Sequence, residues 1–109
     1  MSIEYRKNCA IIRYEADRLD AASAPSFRKR IHEQMTEQRN ALILDLNAVK
    51  FMDSSGLGAV VALMQSLNDN TSLLLCGAGD NIKTLLRTTH LDSMFQMHID
   101  AESAARTVH

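Results

Sequence analysis

The chain has 109 residues, of which 27 are Leu, Ile, Val or Phe, and this supports one small buried core and a single domain over residues 1–109. Its formal net charge of −1 does not favour a nucleic-acid partner, because phosphate binding usually needs a basic surplus. The longest apolar runs are far shorter than the about 20 residues that cross a bilayer, so no membrane partner is expected either.

The first elements predicted along the chain are a hairpin and a helix. Ile3–Arg6 alternates apolar and polar residues as a half-buried strand does, and Cys9–Tyr14 is its partner across the turn at Lys7–Asn8. A helix opens near Ser23, with Pro25 in its first turn, where the missing N–H has no helical acceptor. The apolar stripe of this helix is Ala24, Phe27, Ile31 and Met35.

The rest of the chain alternates strands with helices. Strands are predicted at Ala41–Leu46, Thr71–Cys76 and Phe95–Ile99, and a loop at Asn47–Asp53. Helices are predicted from Ser54 or Ser55 to Asn68, around Ile82–Leu86, and over Ala101–Val108 with Asp100 as its cap. This order predicts an α/β fold, a small mixed β-sheet that is mostly parallel with an N-terminal hairpin, packed with about four α-helices.

The cysteines and histidines indicate neither a disulfide nor a metal site. Cys9 and Cys76 are far apart in the chain and each lies beside an apolar strand, which is typical of free buried thiols in a reducing, cytoplasmic compartment. There is no CxxC motif, and the four histidines are scattered. We therefore expect no metal and no cofactor.

One segment carries most of the functional information: Phe51–Gly58, with the sequence FMDSSGLG. It leads from a buried strand into an amphipathic helix, and ligands of α/β sheets usually bind at such strand ends. A serine at the start of a helix can cap it, or its hydroxyl can carry or meet a phosphate, which the helix dipole favours. Gly56 and Gly58 remove side chains from the first turn, which lets a backbone or a partner approach. The residues alone leave open a capped helix with no further function.

Catalytic motifs are weak in this chain. A nucleophile elbow would need glycine at Met52, the Walker A ending is missing, and both glycine pairs lack the third glycine of a dinucleotide-binding loop. An enzyme with Ser54 as nucleophile would need a base and an oxyanion site within about 3 Å. No histidine is near Ser54 in the sequence. Asp45 is expected to bind the local backbone at its strand end rather than to pair with Asp53.

The same segment resembles the signature of STAS domains, and more narrowly that of the anti-sigma factor antagonists of bacterial partner-switching systems. Leu44–Leu46, Val49 and Phe51–Gly58 carry the resemblance. Leu19–Pro25 is similar to the segment before the family's first helix, and Leu85–Phe95 is similar to its third helix and exit. The resemblance covers nearly the whole chain.

The resemblance implies a switch rather than an enzyme. Ser54 matches the family's phosphoacceptor, the first serine of Asp-Ser-Ser-Gly, and Ser55 is expected to cap the helix instead. The implied kinase is an anti-sigma factor with a histidine-kinase-like ATPase fold. The unphosphorylated antagonist binds it and so frees the sigma factor, and a PP2C-type phosphatase restores that form. The implied partner surface consists of Asp20, Ser23, Asp53, Ser55, Gly56 and Gly58.

Two positions depart from the family pattern. Asp17-Arg18 stands where the family usually has Gly-Glu, which changes the charge beside the partner surface, and His90 stands where it often has glycine. An alternative that fits the same resemblance is a STAS module that is never phosphorylated, such as an accessory of a membrane transporter. The basic cluster Arg28, Lys29, Arg30 and Arg39 is expected mostly on an outer face, as a solvated surface or a partner contact.

Overall fold

Seven strands and four helices make up the computed structural model, which describes residues 1–109. The strands are β1 (Ser2–Tyr5), β2 (Cys9–Arg13), β3 (Arg18–Leu19), β4 (Ala41–Asp45), β5 (Phe51–Met52), β6 (Ser72–Cys76) and β7 (Gln96–His98). The helices are α1 (Ala24–Gln34), α2 (Ser54–Ser66), α3 (Asp80–Thr88) and α4 (Ala101–Arg106), and a 3₁₀ turn, Asp92–Met94, precedes β7. Every predicted helix is present, and α2 and α4 each end two residues earlier than expected.

The main sheet has the strand order β1-β2-β4-β6-β7. β1 and β2 pair antiparallel as the predicted hairpin, whereas β2, β4, β6 and β7 are parallel to one another. The central strand β4 is buried on both faces, as its unbroken apolar run predicted. The predicted α/β fold with a mixed, mostly parallel sheet is confirmed.

The two faces of the main sheet are covered unequally. Because strand side chains alternate between faces, each strand contributes to two cores. The larger core joins the sheet to α1, α2 and α3 and includes Ile12, Leu44, Phe27, Val60 and Leu86. The smaller core lies on the other face, where α4 covers the sheet, and includes Ile11, Ile43, Leu74, Ala101 and Ala104.

A second, two-stranded sheet was not expected. β3 pairs parallel with β5, so that Arg18 lies beside Phe51 and Leu19 beside Met52. The prediction of an unbroken loop over Asn47–Asp53 is therefore wrong at Phe51–Met52. Two residues are too few for an alternating pattern to show, but Leu19 and Met52 are both buried and anchor the pair.

The predicted helix and strand ends are confirmed at three places. The Asn47 backbone N–H donates to the Asp45 carboxylate at 2.9 Å, which is the local contact expected of a strand end. The Ser103 N–H donates to the Asp100 carboxylate at 2.7 Å, so Asp100 caps α4. Pro25 lies in the first turn of α1. The two hydrogen bonds satisfy backbone N–H groups that have no partner within their own element, and Pro25 has no N–H to satisfy.

Both thiols are buried and free, as predicted. Cys9 lies on β2 and Cys76 on β6, on the face that α4 covers. Burial, with a smaller contribution from the Asp45 carboxylate, raises the pKa of Cys76 to about 12. This thiol is therefore protonated at neutral pH, which suits a packing role in the smaller core.

His90 is the one non-glycine residue with a left-handed backbone, at φ 59°. It follows the end of α3, where the N–H of Leu91 donates to the carbonyl oxygen of Leu86 at 2.8 Å and closes the helix. Helices often end in this way with glycine at the left-handed position, because a Cβ there is disfavoured. The geometry gives a structural reason for the glycine that the family often has at this position.

Candidate functional site

The short sheet of β3 and β5 brings two loops together. β3 runs into the turn Asp20–Ser23, which leads into α1, and β5 runs into Asp53, which leads into α2. The backbone N–H of Asp53 also donates to the Leu19 carbonyl oxygen at 3.3 Å. The residues predicted for the partner surface come from two separate segments of the sequence, and the structure places these segments side by side.

Asp53 holds the two loops in register. One carboxylate oxygen accepts a hydrogen bond from the Gly56 N–H at 3.0 Å and so caps α2. The other accepts from the Ala21 N–H at 3.3 Å, in the turn before α1. Asp53 is half-buried, and both of its carboxylate oxygens have partners within the chain. Its first role is therefore structural, because it ties the start of α2 to the approach to α1.

Ser54 and Ser55 are the first two residues of α2, and both are exposed. The prediction that Ser55 caps the helix is wrong, because Asp53 already occupies the capping position. Neither serine hydroxyl makes a hydrogen bond within the chain, so no base is hydrogen-bonded to Ser54 Oγ. Both hydroxyls are therefore open to a partner, at a helix end whose free N–H groups and dipole favour negative charge.

The two glycines of the motif have different surroundings. Gly56 is buried, and a Cβ there would overlap the backbone carbonyl oxygen of Leu19. Gly58 is exposed, and a Cβ there would meet no atom within 4 Å. The close backbone approach expected at Gly56 is thus made by the chain itself, and Gly56 is not accessible to a partner. Only Gly58 keeps open space on the surface.

Asp20 and Ser23 bond to each other in the turn before α1. The Asp20 N–H donates to Ser23 Oγ at 2.9 Å, and the Ser23 N–H donates to the Asp20 carboxylate at 3.2 Å. Arg18 Nε donates to the other Asp20 oxygen at 3.0 Å. The Arg18 contact is the main cause that holds the pKa of Asp20 below its usual value, and the bonds from Ser23 add to it. Asp20 is therefore ionised at neutral pH, with a guanidinium beside it.

Arg18 and Phe51 were marked in the sequence for other reasons, but their contact with each other and the role of Asn81 were not predicted. The Arg18 guanidinium stacks on the Phe51 ring, with 4.5 Å between its central carbon and the ring centroid. Phe51 is 36% exposed, and its contact with Arg18 joins residues that are 33 positions apart, which no local pattern predicts. Asn81, on α3, accepts a hydrogen bond from the Met52 N–H at 2.7 Å and holds β5 in place. Asn81 is distant in the sequence, and no local pattern marks it.

The structure contains no group of three or more His, Cys, Asp or Glu side chains that could hold a metal ion. No helix combines the length and the apolar character that a membrane crossing requires. The functional groups of the site are the hydroxyls of Ser54 and Ser55, the carboxylates of Asp20 and Asp53, and the Arg18 and Phe51 side chains.

A comparison with known protein families shows which family the chain belongs to. Residues 1–105 match the STAS domain. The chain belongs to the STAS domain family. Over 85 residues this STAS domain is 31% identical to an anti-sigma-B factor antagonist of Listeria monocytogenes, a match that covers 77% of this chain and 75% of that protein. It is therefore related to the anti-sigma factor antagonists.

Solved structures confirm the fold of this STAS domain. An anti-sigma factor antagonist from Mycobacterium paratuberculosis superposes with a TM-score of 0.86 at 23% identity, covering 98% of this chain and 91% of that one. The anti-sigma factor antagonist SpoIIAA in its unphosphorylated form superposes with a TM-score of 0.74 at 20% identity, covering 97% of this chain and 94% of that one. At these identities the likeness is one of fold.

Proposed function

We propose that this STAS domain, spanning residues 1–109, is a cytoplasmic anti-sigma factor antagonist that acts without enzymatic activity or a cofactor. In its unphosphorylated form it binds an anti-sigma factor that is also a serine kinase with a histidine-kinase-like ATPase fold. Phosphorylation of Ser54 releases that partner, and a PP2C-type phosphatase reverses the change. The observation that supports the proposal most directly is the exposed Ser54 hydroxyl, which has no partner within the chain, at the first position of α2.

The fold can accept a phosphate at Ser54. A phosphoserine adds about −1.5 to −2 charges at neutral pH, and the start of a helix is where such a charge is tolerated. Asp53 rather than Ser54 caps α2, so modification of the hydroxyl removes no hydrogen bond of the fold. The effect of phosphorylation therefore falls on the complex and not on the folded state.

The surface around Ser54 supports a charge-sensitive contact. Asp53 precedes Ser54 in the chain and Asp20 lies in the turn that Asp53 contacts, and both carboxylates are held by hydrogen bonds within the chain. A partner fitted to a neutral serine would have to desolvate a phosphate beside those carboxylates. A penalty of about 1.4 kcal/mol is enough to change affinity tenfold.

The residues of the surface have separate roles in the proposal. Ser55 and Gly58 continue the exposed edge of α2, and the open space at Gly58 lets a partner backbone come close. Asp20 and Ser23 shape the neighbouring turn. Gly56 contributes from inside, by letting Leu19 pack under α2.

Labelling with purified kinases tests the proposal. The host's kinases with a histidine-kinase-like ATPase fold are each incubated with ATP and the wild-type domain, Ser54→Ala or Ser55→Ala. One kinase should label wild type and Ser55→Ala at Ser54, as read by peptide mass spectrometry, and should leave Ser54→Ala unlabelled. Because both serines are exposed, Ser55→Ala is the matched control.

Binding to the same kinase completes the test. Unphosphorylated wild type and Ser54→Ala should bind, and the phosphorylated domain should be released. Strong labelling of Ser54→Ala would assign the phosphoacceptor elsewhere. A domain that no kinase labels, yet that forms a stable complex indifferent to phosphatase, would instead be a STAS module that is never phosphorylated.

A further inference from the structure

The groove between α1 and α2 begins beside the proposed phosphoacceptor. Its floor is apolar and buried, formed by Phe27 and Ile31 of α1 and Leu63 of α2. Its α2 wall consists of small residues, Gly58, Ala59 and Ala62. Two adjoining clefts make up the groove, and they share Arg28 and Ala59. The result is a shallow channel that starts at Ser55 and runs along both helices.

The two walls of the groove differ sharply in charge. α2 carries no charged residue between Ser54 and Ser66. The α1 wall presents Arg28, Lys29 and His32, all exposed. Arg28 makes no ion pair or hydrogen bond, and Lys29 reaches only the exposed Glu33 at 3.9 Å. The groove is therefore an apolar channel with a basic rim, on which Arg28 has no acidic partner and Lys29 has one exposed partner.

We infer that this groove docks an acidic, amphipathic segment of the partner. The apolar side of such a segment would cover Ala59 and Ala62, and its carboxylates would meet Arg28 and Lys29 on the rim. A neutral or basic segment would leave these cations desolvated without a partner, which disfavours it. The inference rests on the proposed function, because it describes the partner of that same surface.

An acidic segment in the groove would also explain why phosphorylation of Ser54 releases the partner. Ser55, Gly58 and Arg28 line the same end of the groove, and Ser54 is the residue before Ser55. A phosphate on Ser54 would lie at the mouth of the groove, where it repels incoming carboxylates and competes with them for Arg28. Both effects act against an acidic partner, whereas a basic partner would be attracted by the phosphate.

The test uses two probes and one matched control. The probes are a helical peptide with Glu on one side and Leu on the other, and the same peptide with Lys in place of Glu. The variants are Arg28→Glu, on the groove, and Arg30→Glu, which lies on the same helix but lines a different cleft beside Tyr14 and Glu15. Both sites are exposed, and circular dichroism checks that each variant is folded.

In NMR titrations the Glu peptide should shift the signals of Ala59, Ala62 and Leu63, and the Lys peptide should not. Arg28→Glu should lower the affinity for the Glu peptide at least tenfold, whereas Arg30→Glu should change that affinity less than twofold. Equal shifts with both peptides, or equal loss in both variants, would overturn the inference.

Binding of the kinase that labels Ser54 to the same two variants distinguishes a wrong groove assignment from a wrong proposed function. Its affinity should fall at least tenfold in Arg28→Glu and stay within twofold in Arg30→Glu. If that kinase binds both variants equally, the groove assignment is wrong although the proposed function stands. If no kinase labels Ser54 while the Glu peptide docks as described, the proposed function is wrong and the groove assignment stands.

Discussion

The carbonyl oxygen of Leu19 occupies the space that a side chain at Gly56 would need. Leu19 is the last residue of β3 and is fully buried, and Gly56 lies in the first turn of α2. The absence of a Cβ at Gly56 therefore allows α2 to start directly against β3. This contact positions the loop of Asp53 and Ser54 next to the turn before α1.

The two glycines of the motif should respond oppositely to alanine. Gly56→Ala should lower the free energy of unfolding by about 1–3 kcal/mol or more, because the new methyl group meets rigid backbone. Gly58→Ala should raise it by about 0.5–1 kcal/mol, because the methyl group meets open space and alanine favours a helix. Urea unfolding followed by circular dichroism measures both values. Equal changes of the same sign would contradict the difference in packing.

His90→Gly should stabilise the domain by about 1 kcal/mol, because His90 holds a left-handed backbone that disfavours a side chain. The control is His90→Ala, which keeps a Cβ and should show no such gain. Thermal and urea unfolding of the three proteins provide the comparison. If alanine stabilises as much as glycine, the imidazole and not the backbone is the source of the strain.

Substitutions at Ser54 and at Asp53 should have different effects on the stability of the domain. Ser54→Ala should change the free energy of unfolding by less than about 0.5 kcal/mol, because its hydroxyl makes no bond within the chain. Asp53→Ala should cost about 0.5–2 kcal/mol for the cap alone, and it also removes the bond to Ala21. Chemical unfolding of the two variants, side by side, measures the difference.

Charge at Ser54 should affect the complex and leave the fold intact. Ser54→Asp should be at least as stable as wild type, since a carboxylate at a helix start is favourable. Calorimetric titration with the kinase should show weaker binding for Ser54→Asp and retained binding for Ser54→Ala. The loss should be partial, because a carboxylate carries less charge than a phosphate. Tight binding of Ser54→Asp with loss in Ser54→Ala would make the hydroxyl a direct contact instead.

Low pH should weaken the ion pairs that join the N-terminal hairpin to α4. Arg6 bonds to Glu4 at 2.7 Å and to Glu102 at 3.0 and 2.5 Å, and Arg13 bonds to Glu4 at 2.8 Å. The Arg6 contact is the main cause that lowers the pKa of both carboxyls below their usual value of 4.5. A carboxyl with a lowered pKa stabilises the fold above that usual value, and the contribution is lost as the pH falls through the lower folded pKa.

Arg6→Gln should therefore narrow the difference in stability between pH 7 and pH 3. Urea midpoints at pH 7, 5 and 3 measure this difference, and wild type should lose more than Arg6→Gln on acidification. Arg30→Gln is the control, because Arg30 is exposed and makes no ion pair. Parallel pH curves for wild type and Arg6→Gln would show that these ion pairs add no stability.

The spacing of apolar residues predicted most helices and strands of the fold. It was a weaker guide to the buried face of a helix that has few charged residues. In α1, charged residues alternate with the buried stripe, so the inner face was predicted correctly. In α2, Leu57, Val60 and Leu63 are buried, whereas the neighbouring Met64 is only partly buried. A helix without charges has no polar side to mark its orientation, so periodicity alone cannot choose between neighbouring apolar positions.

At the site, the sequence indicated the right segments but not the role of each atom. Whether Asp53 or Ser55 caps α2 depends on the direction in which the chain enters the helix, which no residue type determines. Likewise, Gly56 and Gly58 are alike in the sequence and differ only because β3 passes under one of them. The contacts of Gly56 with Leu19 and of Asp53 with Ala21 join segments more than thirty positions apart, and local patterns carry no information about them.

The central strand has a consequence for how the domain folds. β4 pairs with β2 on one side and β6 on the other, where Ala41 lies opposite Cys9 and Ser72. Each pairing closes a loop of about 30 residues before any strand contact compensates for the lost chain entropy. Only the β1–β2 hairpin can form between neighbouring residues. Pairing between distant segments slows folding, and until β4 and β6 have paired their apolar residues can contact other chains, so aggregation during refolding should increase with protein concentration.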